Sequence, residues 1–409
     1  MFDLDLWREI FQSISKNKLR TLLSGGTVIF AIMLFAILFG LANGLQNTFN
    51  EGMGGDAENT IFINSGRTSK AGKGNQVGRR IQFDNALLST LKDEFKDDIE
   101  FITARVNKNV VASYKGEKNN YSLRAVNPDH QFIEKSELVS GRFINQRDLQ
   151  ESTKVIVIGR LVKEDLFKTE KVIGEYIDLN KIQYKVVGVY QDIGDDNEER
   201  IIYMPLTTAQ RIYGNNDFID QINLTYNLSM GLDNAIALGT NIESRIKKIF
   251  NIEPSDQRAV RLRNRATEAN QINQFNSVLT ILVLIIGLGT LIAGIVGISN
   301  IMIFIVKERT KEIGIRKALG ARPSSIQSII LIESVLITSI SGYVGLLLGI
   351  GILEAYGPSL DKYFITDPSV STNLVAMATL ALIISGFIAA YVPAKRASQI
   401  KPIIALRDE

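Results

Sequence analysis

Charge is almost absent from four stretches of the chain: residues 21–50, 269–306, 323–353 (interrupted only by Glu333) and 368–394. A bilayer core about 30 Å thick takes roughly 20 apolar residues of helix, and each stretch supplies them. Runs such as "VLTILVLIIGLGTLIAGIVGISNIMIFIV" are apolar on every face, which predicts spanning helices rather than core helices of a soluble domain. The spans are placed at 21–45, 277–306, 323–353 and 369–394. The first is too long for a cleavable signal peptide, and "ANGLQNTF" lacks a small-residue cleavage pattern, so it is read as a retained anchor.

Between the first two spans the pattern changes. "NTIFINS" (59–65), "EFITARVNKNVVASY" (100–114), "TKVIVIG" (153–159), "YIDLNKIQYKVVGVYQDI" (176–193), "RIIYMPL" (200–206) and "DQINLTYN" (220–227) read as strands. Helical spacing is found near "DNALLSTLKDEF" and over "LDNAIALGTNIESRIKKIF" (232–250), with a last strand near 258–263. The fold class expected is a membrane α-helical protein of four transmembrane helices. A large α+β, two-lobed extracytoplasmic domain, residues 46–276, is inserted between spans one and two. The polar segment "NQINQFNS" (270–277) has no Gly or Pro, so a helix there continues as a stalk into the second span.

Charge then orients the chain. Arg8, Lys16, Lys18 and Arg20 precede the first span, the loop 307–322 is strongly basic, and the tail (395–409) carries Lys395, Arg396, Lys401 and Arg407. The loop 354–368 is acidic instead, with Glu354, Asp361 and Asp367. Short Lys/Arg-rich loops stay inside, so both termini and 307–322 are expected in the cytoplasm. Residues 1–20 place Leu4, Trp7, Phe11 and Ile14 at helical spacing, as an amphipathic helix on the cytoplasmic face would.

Composition narrows the chemistry. There is no cysteine and one histidine, His130, which argues against disulfides, against histidine-based catalysis and against a multi-histidine metal site. A net charge of +3 gives no reason to expect nucleic acid. "GRTSKAGKG" (66–74) has five residues between its glycines instead of four, and Gly74 stands where Ser or Thr would hold magnesium. No cofactor, metal or catalytic residue is assigned to this chain. Small residues recur four apart at Ala36, Gly40, Gly44; at Gly289, Ala293, Gly297; and at Ser341, Gly345, Gly349. Such rows let helices approach closely, within one chain or between two. Glu333 is the ionisable residue inside a span, read either as a polar contact or gate, or as a side chain snorkelling to the boundary.

The loop "KERTKEIGIRKALGAR" (307–322) is more than a basic anchor. It predicts a short amphipathic helix closed by Gly320, with Pro323 opening the next helix. Such a helix between two spans is suited to dock in a partner's groove. The stretch from "GIVGISNIMIFIVKERTKEIGIRKALG" to "SGYVGLLLG" resembles the core of the macrolide-exporter (MacB-like) ABC permeases. "YVPAKRASQIKPIIALRDE", "SGRFINQRD", "VIVIGRLVKEDLF", "YKVVGVY" and "IYMPLTTAQRIYG" are similar to other stretches of that family.

The resemblance implies a dimer of four-span subunits, a homodimer or a heterodimer, that carries no catalytic activity of its own. It makes 307–322 the coupling helix that docks on an ATP-binding subunit through Glu308, Arg309, Glu312, Ile313, Arg316 and Leu319. ATP and magnesium would sit on that partner, a separate chain, since only about twenty residues precede the first span. A periplasmic membrane-fusion adaptor and membrane lipids complete the expected partners. The implied function is export by mechanotransmission, with substrate taken from the external face of the bacterial inner membrane. Lipoprotein extraction, and FtsX-like signalling to a cell-wall hydrolase, are the alternatives within the same resemblance.

Overall fold

The structure, a computed structural model, describes residues 18–51, 57–72, 76–168, 171–192 and 196–401. Of the amphipathic helix expected over 1–20 only 18–20 are described; Lys73 and the tail beyond Lys401 also fall outside. The chain divides into two compact units: residues up to Gly52 together with Ile272–Glu409, and Met53–Gln271 between them.

The membrane unit is built on α1 (Lys18–Glu51), and the inserted unit follows. Its strands are β1 (Thr60–Ser65), β2 (Phe83–Asp84), β3 (Ile99–Tyr114), β4 (Glu117–Val126), β5 (Glu137–Gly141) and β6 (Val155–Gly159). They continue with β7 (Tyr176–Leu179), β8 (Ile182–Gln191), β9 (Ile201–Pro205), β10 (Phe218–Ile219), β11 (Gln221–Tyr226) and β12 (Val260–Asn264). The helices among them are α2 (Asn85–Glu94), α3 (His130–Ile133), α4 (Gln146–Glu151), α5 (Arg160–Phe167), α6 (Leu206–Ile212) and α7 (Leu232–Ile249).

One ten-stranded sheet runs β12-β1-β11-β3-β4-β9-β6-β8-β5, with β7 paired to β3 and β8. Its two lobes share β3. The first half of that strand, Ile99–Arg105, pairs with β11, and the second, Arg105–Tyr114, pairs with β4. Lys115 and Gly116, with φ of 46° and 95°, close the β3–β4 hairpin in the left-handed conformation that two-residue hairpin turns require. Asn180 and Lys181, at 51° and 70°, do the same between β7 and β8, so the run 176–193 is a hairpin. Helix α2 is started by Asp84, whose carboxylate accepts the Leu87 N–H at 2.8 Å. Helix α7 buries Ala235, Leu238, Ile242 and Ile246 at helical spacing in the same core as Ile61, Ile63 and Leu224.

A buried ionic cluster sits within this unit. Glu134 receives Arg105 Nη1 at 2.9 Å, Arg124 Nη1 at 3.0 Å and the Tyr203 hydroxyl at 2.8 Å, and lies 3.1 Å from His130 Nε2. Arg124 also holds Glu198.

The membrane unit continues with α8 (Arg265–Glu308), α9 (Thr310–Ala318), α10 (Pro323–Leu360) and α11 (Thr372–Ser398). Among the described residues α1, α8, α10 and α11 are long and apolar enough to cross a membrane. Helix α8 is unbroken over 44 residues, about 66 Å at 1.5 Å per residue, and the division between the two units falls inside it. Val28, Ile32, Ala36, Ile298, Met302, Ile337, Leu346 and Leu382 form the core that the four helices share.

Glycines set the closeness of that packing. A Cβ on Gly345 would lie 2.5 Å from the Ile29 carbonyl oxygen, and one on Gly349 would lie 2.8 Å from Ala36 Cβ. Gly40 is closed over by Leu353, and Gly44 by Ile365 and Pro368. Beyond it, Asn47 donates to the Thr366 and Asp367 carbonyls, and Thr48 to that of Phe364, fastening the end of α1 to the α10–α11 loop.

Candidate partner-docking site

Helix α9 occupies the loop between the second and third spanning helices. Leu319 ends it, and Gly320 follows at φ 95°, donating to the Lys317 carbonyl at 3.1 Å while Ala321 donates to that of Arg316 at 3.0 Å. This is a Schellman closure, which leaves no room for the helix to run on. Pro323 then occupies the first turn of α10.

One side of α9 is committed to the chain itself. Ile313, 7% exposed, packs with Val306, Ile326, Ile330, Ala394 and Ala397. It was expected to face a partner and instead points into the membrane unit, because the apolar ends of α8, α10 and α11 converge beneath it. Lys317 donates from Nζ to the Ser398 carbonyl at 2.8 Å and the Ile400 carbonyl at 2.7 Å, satisfying the open carbonyls at the end of α11. Nothing in the loop's own spacing announces a partner some eighty residues away.

Arg309, at the N-cap of α9, joins the helix to Glu333. Its Nη1 lies 3.4 Å from Glu333 Oε2, while Nε and Nη2 reach the two Glu312 oxygens at 3.1 and 3.3 Å. Arg316 Nη2 approaches Glu312 Oε1 at 2.8 Å from the other side. Burial opposes the charge on Arg309, but its hydrogen bond to Glu312 and the Glu312 and Glu333 charges raise its pKa above the ordinary arginine value. Glu333 is 3% exposed and meets Arg309 at this helix junction. A cleft of about 30 Å³ runs between Arg309, Glu312, Arg316 and Glu333 over an apolar floor.

The other side of α9 is open. Glu312, Ile315 and Leu319 lie at i, i+3 and i+7, a single helical stripe, and are all exposed, Leu319 by 83%. Glu308 and Lys311 beside them are exposed as well. Ile315 belongs to this face in place of Ile313. Its apolar character was visible, but the choice between the two isoleucines depends on where α10 and α11 lie.

The small-residue rows separate in the same way. Ala36, Gly40 and Gly44 on α1 face the α10 side, where Ser341, Gly345 and Gly349 meet α1; Ser341 Oγ would lie 2.6 Å from a Cβ on Gly25. Gly289 has no atom within 4 Å of its Cβ position, Ala293 is exposed, and Gly297 nears Thr27 at 3.5 Å. Among the described residues no group of three or more His, Asp or Glu is placed to hold a metal ion.

Comparison with known proteins fits this architecture. Residues 21–237 match the MacB-like periplasmic core domain, and residues 279–402 match the FtsX-like permease C-terminal region. The macrolide export ATP-binding/permease protein MacB of Bdellovibrio bacteriovorus is 27% identical over 404 residues, covering 98% of this chain and 61% of that protein. Its namesake in Campylobacter jejuni is 29% identical over 411 residues, covering 98% and 60%. The chain thus spans about three fifths of the length of these relatives. Among solved structures, the periplasmic region of MacB from Actinobacillus actinomycetemcomitans is 19% identical with a TM-score of 0.45, covering 55% of this chain and 97% of that one. The extracellular domain of the ABC-type transporter YknZ from Gram-positive bacteria is 17% identical with a TM-score of 0.42, covering 50% and 100%. The chain belongs to the MacB-like periplasmic core domain family, as a multi-pass bacterial membrane protein with an FtsX-like permease C-terminal region.

Proposed function

We propose that the chain is the permease subunit of an ABC exporter, driven by an ATP-binding partner that docks on α9 from the cytoplasmic side. The observation that carries this reading is the division of α9 into two faces. Ile313 and Lys317 fasten one to the membrane unit, while Glu312, Ile315 and Leu319 present charge and apolar surface outward. A merely topogenic basic loop would need neither the Schellman closure nor an exposed leucine.

The partner would hold ATP and magnesium. Its closure would press on α9 and be carried along α8 to the external unit, which is mechanotransmission. Substrate would be collected at the external face with the help of a membrane-fusion adaptor, and a second permease copy would complete the subunit pair. The names of the relatives, macrolide export proteins, suggest a macrolide-like drug as cargo; a peptide or a lipid-linked molecule is the alternative.

The test is a docking measurement. Ile315 and Leu319 are 44% and 83% exposed, and substitutions at such surface positions usually stay within about 0.5 kcal/mol. Replacing them therefore spares the fold. Ile315→Ser with Leu319→Asp is expected to abolish co-purification of the ATP-binding subunit from native membranes, with the chain's melting temperature unchanged. Recovery of the ATPase at parental levels with that double variant would sink the docking assignment.

A further inference from the structure

The external unit carries an open cleft of about 690 Å³ rimmed by Arg67, Arg80, Arg258 and Arg261. All four side chains are exposed, and the structure gives none of them a carboxylate partner among the described residues. Most other arginines of this unit differ, Arg79 and Arg211 excepted. Arg105, Arg124, Arg142, Arg160, Arg200 and Arg245 each hold an Asp or Glu. The cleft contains one acid, Asp220, whose Oδ2 already accepts the Asn107 N–H at 3.0 Å.

The backbone beneath the arginines is fixed. Arg67 and Arg80 oppose each other across an antiparallel bridge, and Arg261 opposes Asn64 in the β1–β12 ladder. Gly66 donates to the Ala259 carbonyl at 3.0 Å and accepts from Ile81 at 2.9 Å. A Cβ at Gly66 would lie 2.1 Å from the Arg258 carbonyl oxygen, so only glycine lets these segments approach. Asp256, fully buried, takes the N–H groups of Ser69, Lys70 and Arg258 at 2.6, 3.0 and 3.0 Å and the Ser69 hydroxyl at 2.7 Å. Its charge is satisfied by the loops that carry the arginines. It does not neutralise them.

We propose that this cleft binds a phosphate-bearing anion, with Arg67, Arg80, Arg258 and Arg261 as its charged donors. A concave site where one sign of charge predominates, here four guanidiniums against Asp220, focuses the field on an incoming anion. The guanidinium fork matches phosphate oxygens two at a time. Four forks on three segments suit a tetrahedral, multiply charged group better than the two coplanar oxygens of one carboxylate. The assignment is independent of the reading of α9. The phosphate could be free in solution or belong to a lipid headgroup, and the experiment separates these.

The full chain, purified in an uncharged detergent, would be titrated calorimetrically with inorganic tripolyphosphate, with dihexanoyl phosphatidylglycerol below its micelle concentration, and with hexaglutamate. Saturable binding of either phosphate is expected, weakened about tenfold or more in Arg67→Gln/Arg261→Gln and less in Arg67→Lys/Arg261→Lys. Tripolyphosphate binding would identify a soluble phosphate, and binding of the lipid alone would identify a headgroup. Failure of both phosphates to bind, or parental affinity in the glutamine variant, would overturn the site. Hexaglutamate binding more tightly than either phosphate would overturn it in favour of an acidic protein partner. Because the four arginines are exposed, the melting temperature is expected to hold; if that of the first pair falls, Arg80→Gln/Arg258→Gln supplies the same comparison.

Discussion

Glu134 concentrates more of the external unit's electrostatics than any motif in the sequence suggests. Burial works to raise its pKa, but His130, Arg124 and Arg105 together hold it well below the usual carboxylate range. The folded value thus lies under the unfolded one, which is about 4.3. Stability from this group is complete above the unfolded value and is lost as pH falls through the folded one. Glu134→Gln is therefore expected to lower stability at pH 7 by about 3–5 kcal/mol, since it leaves Arg105 without its counter-charge and Arg124 with Glu198 alone. The variant should also flatten the loss of stability below about pH 4. Thermal unfolding of the purified chain, followed by circular dichroism from pH 7 to pH 3, checks both. Lys317 is the corresponding residue of the membrane unit. Lys317→Met removes two hydrogen bonds from a charged donor, at about 1.5–3 kcal/mol each. It should free α9 from α11 and lower the melting temperature without touching the outward face.

At the scale of elements, the spanning helices and most strands were legible because burial repeats with the element's own period. β9 is an apolar run buried throughout, β11 alternates Ile222, Leu224 and Tyr226 with polar residues, and α7 keeps its buried residues three and four apart. β4 escaped because its first four residues, "EKNN", are exposed and carry no alternation; pairing with β3 makes them a strand. The short helices α4, α5 and α6 hold six to eight residues each, too few for a period to show. Within the site, the closure at Gly320 could be read, whereas the inward turn of Ile313 and the anchor of Lys317 depend on α11. The helix rows give a paired prediction. Gly345→Leu is expected to force α1 from α10 and lower the melting temperature, by about 1–3 kcal/mol or more of overpacking. Gly289→Leu meets no atom within 4 Å and should leave the single chain's melting unchanged. If that row packs against a second copy, native mass spectrometry will show the Gly289→Leu dimer weakened while the monomer stays folded.

For the whole molecule, the proposed transmission runs through α8. A proline at Gln274, in the polar part of this helix, removes a backbone hydrogen bond and costs about 3 kcal/mol. Gln274→Pro is expected to leave ATPase docking intact and to silence the external unit's response to nucleotide. Hydrogen exchange of residues 57–264 with and without vanadate-trapped nucleotide measures that response, and an unchanged response would remove α8 from the route. The Arg309–Glu333 pair has a further consequence, for the order in which the protein is made. Arg309 leaves the ribosome 24 residues before Glu333, already positioned at the end of the second span. When the third span enters the lipid, its carboxylate, a group that on its own resists partitioning by a few kcal/mol, finds its counter-charge waiting. Biogenesis of the third span therefore depends on the second, and Arg309→Ala should show itself first as failed insertion, before any loss of transport.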